Sequence, residues 1–337
     1  MNLRILCFGL PLLSLGVLQC VSQAPAASAA PPAGSAPPSG AAPASGGPHL
    51  WEPELPTPGD ADAHHYSNGA ERLGDITYET IKGYRPLKLD LYFPSPKLAA
   101  RPLPLVVWVH GGGWEQGNPR MDWTYGDWGQ VLARLSARGY VVAGISYRLS
   151  SEARFPAQID DVHAALRFLR KNASRWGIDP DRVYIWGLSA GGHLAALAGT
   201  ESATVAAEER VQGVVDWFGP SDFTDFDTKG PNNTIGAFLG CPDAGCSQDV
   251  LRKVSPVTYI SAQAPPTLIM QGDKDSLVPL AQSQELYDRL KAAGVEVKLL
   301  HFPNQEHGFV GASQEELQQD LETVFSFFDQ LSRTSKP

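Results

Sequence analysis

The sequence predicts an α/β fold: a mostly parallel central sheet with helices on both faces and a small cap excursion. Three observations carry this expectation. Short, continuous apolar runs recur, as over residues 103–110 and 140–146, and such runs suit strands buried on both faces. Between the runs lie stretches such as Ile159, Val162, Leu166 and Leu169, whose spacing of three and four gives one apolar helical face. Residues 219–264 are less regular and too many for a simple connection, so they read as a cap or binding excursion.

The elements follow in order. Arg4 precedes an apolar run over residues 5–18, which reads as a secretory signal peptide over 1–26. Two endings stay open. Ala24-Pro25-Ala26 offers a cleavage site, whereas Val17-Leu18-Gln19-Cys20 resembles a lipobox that would acylate Cys20, with Gln19 departing from the small residue expected there. Membrane contact is expected only if Cys20 carries lipid; otherwise the protein is secreted or periplasmic. Residues 27–59 read as a linker, because residues 24–48 are Ala, Pro, Ser and Gly alone and have nothing sizeable to bury. The folded domain is expected over 60–334. The formal net charge of −9, without a basic run, argues against a nucleic-acid partner. Nothing in the sequence specifies an oligomer.

Within the domain, residues 76–81 and 87–93 alternate apolar and polar side chains and predict two half-exposed antiparallel strands. After the strand at 103–110, Val131, Leu132 and Leu135 predict a helix ending near Gly139. The strand at 140–146 and the helix through Ile159 and Leu169 follow. Further strands are expected at 182–186, 211–218, 266–270 and 295–301. Helices are expected at 190–198, at 280–292 with Gly294 as its stop, and at 315–331. Cys241 and Cys246 have no third ligand nearby to make a metal site. In an exported protein they read as a small-loop disulfide.

The chemistry concentrates at the ends of the predicted strands. Gly187-Leu188-Ser189-Ala190-Gly191 matches G-x-S-x-G between a strand and a helix, which would project Ser189 from a tight turn. His110-Gly111-Gly112-Gly113-Trp114 ends an earlier strand. The N–H groups of Gly112 and Gly113, with that of Ala190, are candidate donors to a developing oxyanion. His110 is expected to hold that turn. A nucleophilic serine needs a base. Three histidines lie downstream of Ser189: His193 in the elbow helix, expected to pack; His301 at a strand end; and His307 in a loop after the last strand. His307 is the expected base, with His301 as the alternative. For the acid, Asp273 and Asp275 both follow the strand ending at Met270. Asp275 is preferred as nearer the next helix, a choice that also leans on the following resemblance.

Together these residues resemble the α/β-hydrolase superfamily, specifically secreted esterases of the hormone-sensitive-lipase-like and bifunctional acetylxylan/feruloyl esterase group. The resemblance runs from about residue 75 to 331. It is carried by His110–Trp114, Ser146-Tyr147-Arg148-Leu149, Phe155-Pro156-Ala157-Gln158, Gly177-Ile178-Asp179-Pro180, residues 187–193, residues 273–279 and His307-Gly308-Phe309. One departure is Gln271, where such enzymes commonly carry His. The resemblance implies a serine ester hydrolase acting through an acyl-enzyme, with catalytic Ser189, Asp275 and His307 and with no metal or cofactor. It also implies a small ester or esterified polysaccharide as substrate, such as acetylated or feruloylated plant polysaccharide. A general short-chain carboxylesterase or arylformamidase-like amidase is the alternative, followed by a serine exopeptidase or a non-catalytic binding protein. Trp114, Trp123 and Trp217 are candidate substrate-binding rings, with ordinary core packing as the competing reading.

Overall fold

In a computed structural model of the 337-residue chain, the residues described are Leu55, 63–95, 102–121 and 124–334. The expected signal peptide with Cys20, nearly all of the expected linker, and Trp123 lie outside the described residues.

The described strands are β1 (His64–His65), β2 (Glu71–Glu79), β3 (Leu87–Phe93), β4 (Leu103–Val109), β5 (Val141–Ile145), β6 (Ile178–Leu188), β7 (Gly213–Trp217), β8 (Thr267–Gly272) and β9 (Val297–Phe302). They form one sheet in the order β1-β2-β3-β5-β4-β6-β7-β8-β9. The pairs β1/β2, β2/β3 and β3/β5 are antiparallel, and every pair from β5 to β9 is parallel. Parallel neighbours need crossovers, and the helices supply them. The helices are α1 (Trp128–Ser136), α2 (Ala157–Lys171), α3 (Ala190–Thr200), α4 (Thr234–Leu239), α5 (Gln248–Val254), α6 (Leu280–Ala292) and α7 (Gln314–Thr334).

Alternation along the strands sorts the core into two faces. Leu105, Val107 and Val109 of β4 pack with Val183 and Ile185 of β6 against Val162 and Leu166 of α2 and Leu194 of α3. Val106 and Trp108 point the other way. They join Tyr184, Trp186, Val215 and Trp217 under Leu132 of α1 and Leu321, Phe325 and Phe328 of α7. Ile269 of β8 packs with Leu286 and Leu290 of α6.

Two expectations need correction. Strand β3 is not half exposed: apart from Lys88 all of its residues are buried, because it lies between two strands with both faces covered. The polar exception to its apolar run, Asp90, is buried against the Arg120 guanidinium at 2.5 and 2.6 Å. Strand β6 begins at Ile178 rather than near Arg182, because Ile178 pairs with Leu103 across a register shift, and the turn-like Asp179-Pro180 hides that pairing in the sequence. Strand β1 is only two residues long and too short to show a period.

The irregular section forms a small cap of α4, α5 and short 3-10 turns. Gly240 closes α4 in the left-handed region, at φ 71°, as a helix C-terminus favours. The expected bond between Cys241 and Cys246 is present and closes the adjoining loop.

Candidate active site

Every candidate catalytic residue emerges at the C-terminal ends of the parallel strands, where open α/β sheets place their ligand clefts. Ser189 sits between β6 and α3 at φ 52° and ψ −120°, a backbone state that costs roughly 1–3 kcal/mol for a residue with a side chain. The surroundings hold it there. Ser189 N–H donates to Trp217 O at 2.8 Å, and Ser189 O accepts from His193 N–H at 2.9 Å. A Cβ on Gly187 would lie 2.1 Å from Gly191 O, and one on Gly191 would lie 2.1 Å from Val109 O. The two glycines of the motif therefore permit the elbow to close on itself and on the end of β4.

That second contact also seats the glycine loop after β4 beside Ser189. A Cβ on Gly111 would lie 3.0 Å from Leu188 O, so the loop and the elbow are in backbone contact. Gly112 and Gly113 have φ 110° and 60°, conformations in which glycine is at little cost. Among the described residues, the N–H groups of Gly112, Gly113 and Ala190 donate to no protein acceptor. His110 is the structural post of this loop. Its Nδ1–H donates to Gly111 O at 2.7 Å, its ring stacks on Tyr147 at 4.4 Å, and Tyr147 O–H donates to His110 O at 3.1 Å. Burial pushes its imidazole down to about 4, so it is neutral.

The histidines and aspartates sort into two pairs. His307, in the loop after β9, has Nε2 2.9 Å from Ser189 Oγ and Nδ1 2.7 Å from Asp275 Oδ2. A carboxylate only accepts, so Nδ1 carries the proton and Nε2 is left to accept the serine hydroxyl. His301 instead pairs with Asp273 at 2.8 Å, with over half of its side chain exposed. His193 is fully buried. It accepts from Trp114 Nε1–H at 3.2 Å and donates from Nε2 to Val254 O at 2.8 Å. Burial pushes its imidazole down to about 4, so it ties the elbow helix, the glycine loop and the cap together as a neutral group.

Of the aromatic candidates, the two that are described, Trp114 and Trp217, are placed in the core rather than on a cleft wall. Trp217 is fully buried, packed on Trp186 at 4.9 Å and on Tyr125 at 5.2 Å. The register explains this: Trp108 of β4 lies directly opposite Trp186 of β6 on the face covered by α1 and α7. Trp114 is 4% exposed and stacks flat on Phe238 of α4 at 4.4 Å. Three features were not assigned from sequence. Phe218 backs the His307 ring at 4.8 Å, and Thr234 of α4 approaches Gly113. Leu277 and Val310 are the most exposed large apolar side chains among the described residues, and they lie on the loops that carry Asp275 and His307.

Behind the elbow, Asp216 of β7 is fully buried. Its Oδ1 accepts from Gly219 N–H at 2.9 Å, while Oδ2 has no partner among the described residues. Burial pushes its carboxyl up to about 7, so the folded state holds a proton that the unfolded chain releases near 3.8. The stabilisation is fully present below the unfolded value and is lost as pH rises through the folded one, a span worth up to about 4 kcal/mol. Burial raises Glu201 to about 7 and Asp320 to about 6 with the same sign. In Asp216→Asn, thermal unfolding followed from pH 4 to 8 is expected to lose part of the wild-type decline with pH. An unchanged slope would contradict the buried proton.

Comparison with known proteins agrees with this architecture. Residues 89–290 match the BD-FAE family. Esterase LipC of Mycobacterium tuberculosis is 32% identical over 242 residues, covering 68% of this chain and 59% of LipC. A truncated carbohydrate esterase from gut microbiota superposes with TM-score 0.67 at 26% identity, covering 80% of this chain and 99% of that one. A bifunctional GH43-CE protein of Bacteroides eggerthii gives TM-score 0.66 at 32% identity, over 79% of this chain and 38% of its own. The chain spans little more than half of the first curated relatives, 56% to 59% of their length. With its strand order, its elbow at the end of β6 and a family match over most of the folded chain, the protein belongs to the BD-FAE family of the α/β-hydrolase superfamily.

Proposed function

We propose that the protein is a serine-dependent carboxylic ester hydrolase, exported from the cytoplasm, that removes acetyl or feruloyl groups from polysaccharide. The observation that carries the hydrolase reading is the unbroken hydrogen-bonded line from Ser189 Oγ through His307 to Asp275. In the forward step Ser189 Oγ bonds to the ester carbonyl carbon while His307 Nε2 takes its proton. The carbonyl oxygen becomes an oxyanion held by the N–H groups of Gly112, Gly113 and Ala190. Asp275 stabilises the imidazolium, which then protonates the departing alcohol as its bond to carbon breaks. Water, deprotonated by His307, attacks the acyl-enzyme and releases the acid and Ser189.

Support for the polysaccharide part comes from the structural neighbour described as a carbohydrate esterase, from the bifunctional GH43-CE neighbour and from the signal-like N-terminus with its Ala/Pro spacer. Export and a spacer suit an enzyme that meets plant polysaccharide outside the cell. The named esterase relatives favour a second reading, a general short-chain carboxylesterase. A panel of p-nitrophenyl acetate, butyrate and octanoate, acetylated xylan, methyl ferulate and an aryl formamide separates these. The expected result is acetate release from acetylated xylan, with kcat/KM falling from acetate to octanoate. Activity on the p-nitrophenyl esters alone would leave the general carboxylesterase, and a preference for the formamide would overturn both.

A further inference from the structure

Gln271, the departure from the usual histidine, stands directly behind the relay. It is fully buried near the end of β8. Its Nε2 donates to Asp275 Oδ2 at 2.8 Å and to Val278 O at 3.1 Å, while its Oε1 accepts from Ser283 Oγ of α6 at 2.8 Å. Turning the amide over would set Oε1 against two acceptors, so the network fixes its orientation. Asp275 is thereby held at both oxygens. Oδ1 accepts from the N–H groups of Leu277 and Val278 at 2.9 and 2.8 Å. Oδ2, the oxygen that faces the imidazole, accepts from His307 and from Gln271. The backbone donors grip the oxygen that does not meet His307. The amide grips the one that does, and it is itself locked by a helix on the far side of the loop.

We infer that Gln271 is a positioning residue: it aims Asp275 Oδ2 at His307 Nδ1 and, as an amide, holds that aim unchanged across the pH range in which an imidazole titrates. The inference rests on the serine-hydrolase reading above and extends it from three residues to a five-membered line, Ser283–Gln271–Asp275–His307–Ser189. A histidine at 271 carries one N–H in its neutral form. It can serve Asp275 but not Val278 O as well, and on protonation it sets a second cation beside the carboxylate.

The test compares wild type, Gln271→Met and Gln271→His. The readouts are kcat and KM for p-nitrophenyl acetate from pH 5 to 9, thermal unfolding, and the low-field proton NMR resonance of His307 Nδ1–H. Met fills the space without a donor. Its kcat is expected to fall about 10- to 100-fold, by analogy with the loss when the outer hydrogen-bond partner of a metal ligand is removed, with KM changed less than about twofold and the low-field resonance lost or broadened. Gln271→His should recover most of kcat and the resonance at high pH, and should add a second ionisation to the acid limb where wild type shows one. A Met variant that keeps wild-type kcat and resonance overturns the inference. So does a fall in kcat that Gln271→His does not reverse and that tracks loss of thermal stability, since that marks a packing role. Absence of esterase activity in wild type would count against the hydrolase reading instead, and the resonance comparison would then decide the positioning role by itself.

Discussion

Replacing Ser189 with alanine is expected to lower kcat for p-nitrophenyl acetate by about 10⁶-fold, the scale found when a serine nucleophile is removed from such a relay. The reason is specific to one atom. Ser189 Oγ is the group that lies 2.9 Å from His307 Nε2, and without it no acyl-enzyme forms. The backbone donors and the imidazole remain, so a residue of catalysis above the rate in water should persist. His307→Ala should fall by a similar factor, and the double variant should be no slower than either single one, because the members act as a unit. Asp275→Asn should cost somewhat less, about 10⁴-fold, by disfavouring the tautomer that the Nδ1 bond selects. Thermal unfolding of Ser189→Ala should stay close to wild type, since among the described residues the hydroxyl's side-chain partner is His307 and the elbow is held by backbone contacts. Stopped-flow measurement should show the loss of any initial burst. Activity within tenfold of wild type in Ser189→Ala would end the proposed mechanism.

The extent to which this site is legible in sequence differs residue by residue, and the differences are physical. The elbow is readable because its geometry forbids side chains at two positions, and that prohibition appears in the sequence as Gly187 and Gly191. The acid and base are harder. Asp273 and Asp275, like His301 and His307, have the same chemistry at nearly the same sheet edge, and only the spatial pairing of each aspartate with one histidine separates them. The tryptophans are misleading for a related reason. A large ring suits a sugar and a core equally, and the face on which a strand residue lands depends on register. Trp108 and Trp186 meet because β4 and β6 are neighbours, which neither strand's own sequence states. Gln271 shows in sequence as a departure from a pattern, but its partner Ser283 is twelve residues away on another element, so its role is visible only once α6 is docked.

Gly191→Ala is the variant expected to damage fold and chemistry together. The added methyl would lie 2.1 Å from Val109 O and 2.5 Å from His110 O. Both are backbone atoms at the end of β4, a strand held by β5 on one side and β6 on the other. Neither can rotate away as a flexible side chain would, so the start of α3 must move instead. Overpacking of this kind costs about 1–3 kcal/mol, which should appear as a lower Tm. The chemical cost should be larger than the stability cost suggests. The start of α3 carries Ala190 N–H and follows directly on Ser189, so the shift displaces nucleophile and oxyanion donor with respect to His307 and the Gly112–Gly113 turn. A misplacement of about 1 Å costs about 100-fold in rate; kcat is therefore expected to fall at least that far while the variant still folds at low temperature. Gly113→Ala offers the contrast. Its nearest neighbour, Thr234 Cγ2, lies at 3.4 Å, so its penalty comes from φ 60°, about 1–2 kcal/mol of backbone strain, with no collision against the strand. If the contacts at Gly191 are what seat the glycine loop against the elbow, its alanine variant must lose more rate than that of Gly113 and must lose Tm as well. Wild-type rate and Tm in Gly191→Ala would mean that the two loops are aligned by something other than this contact.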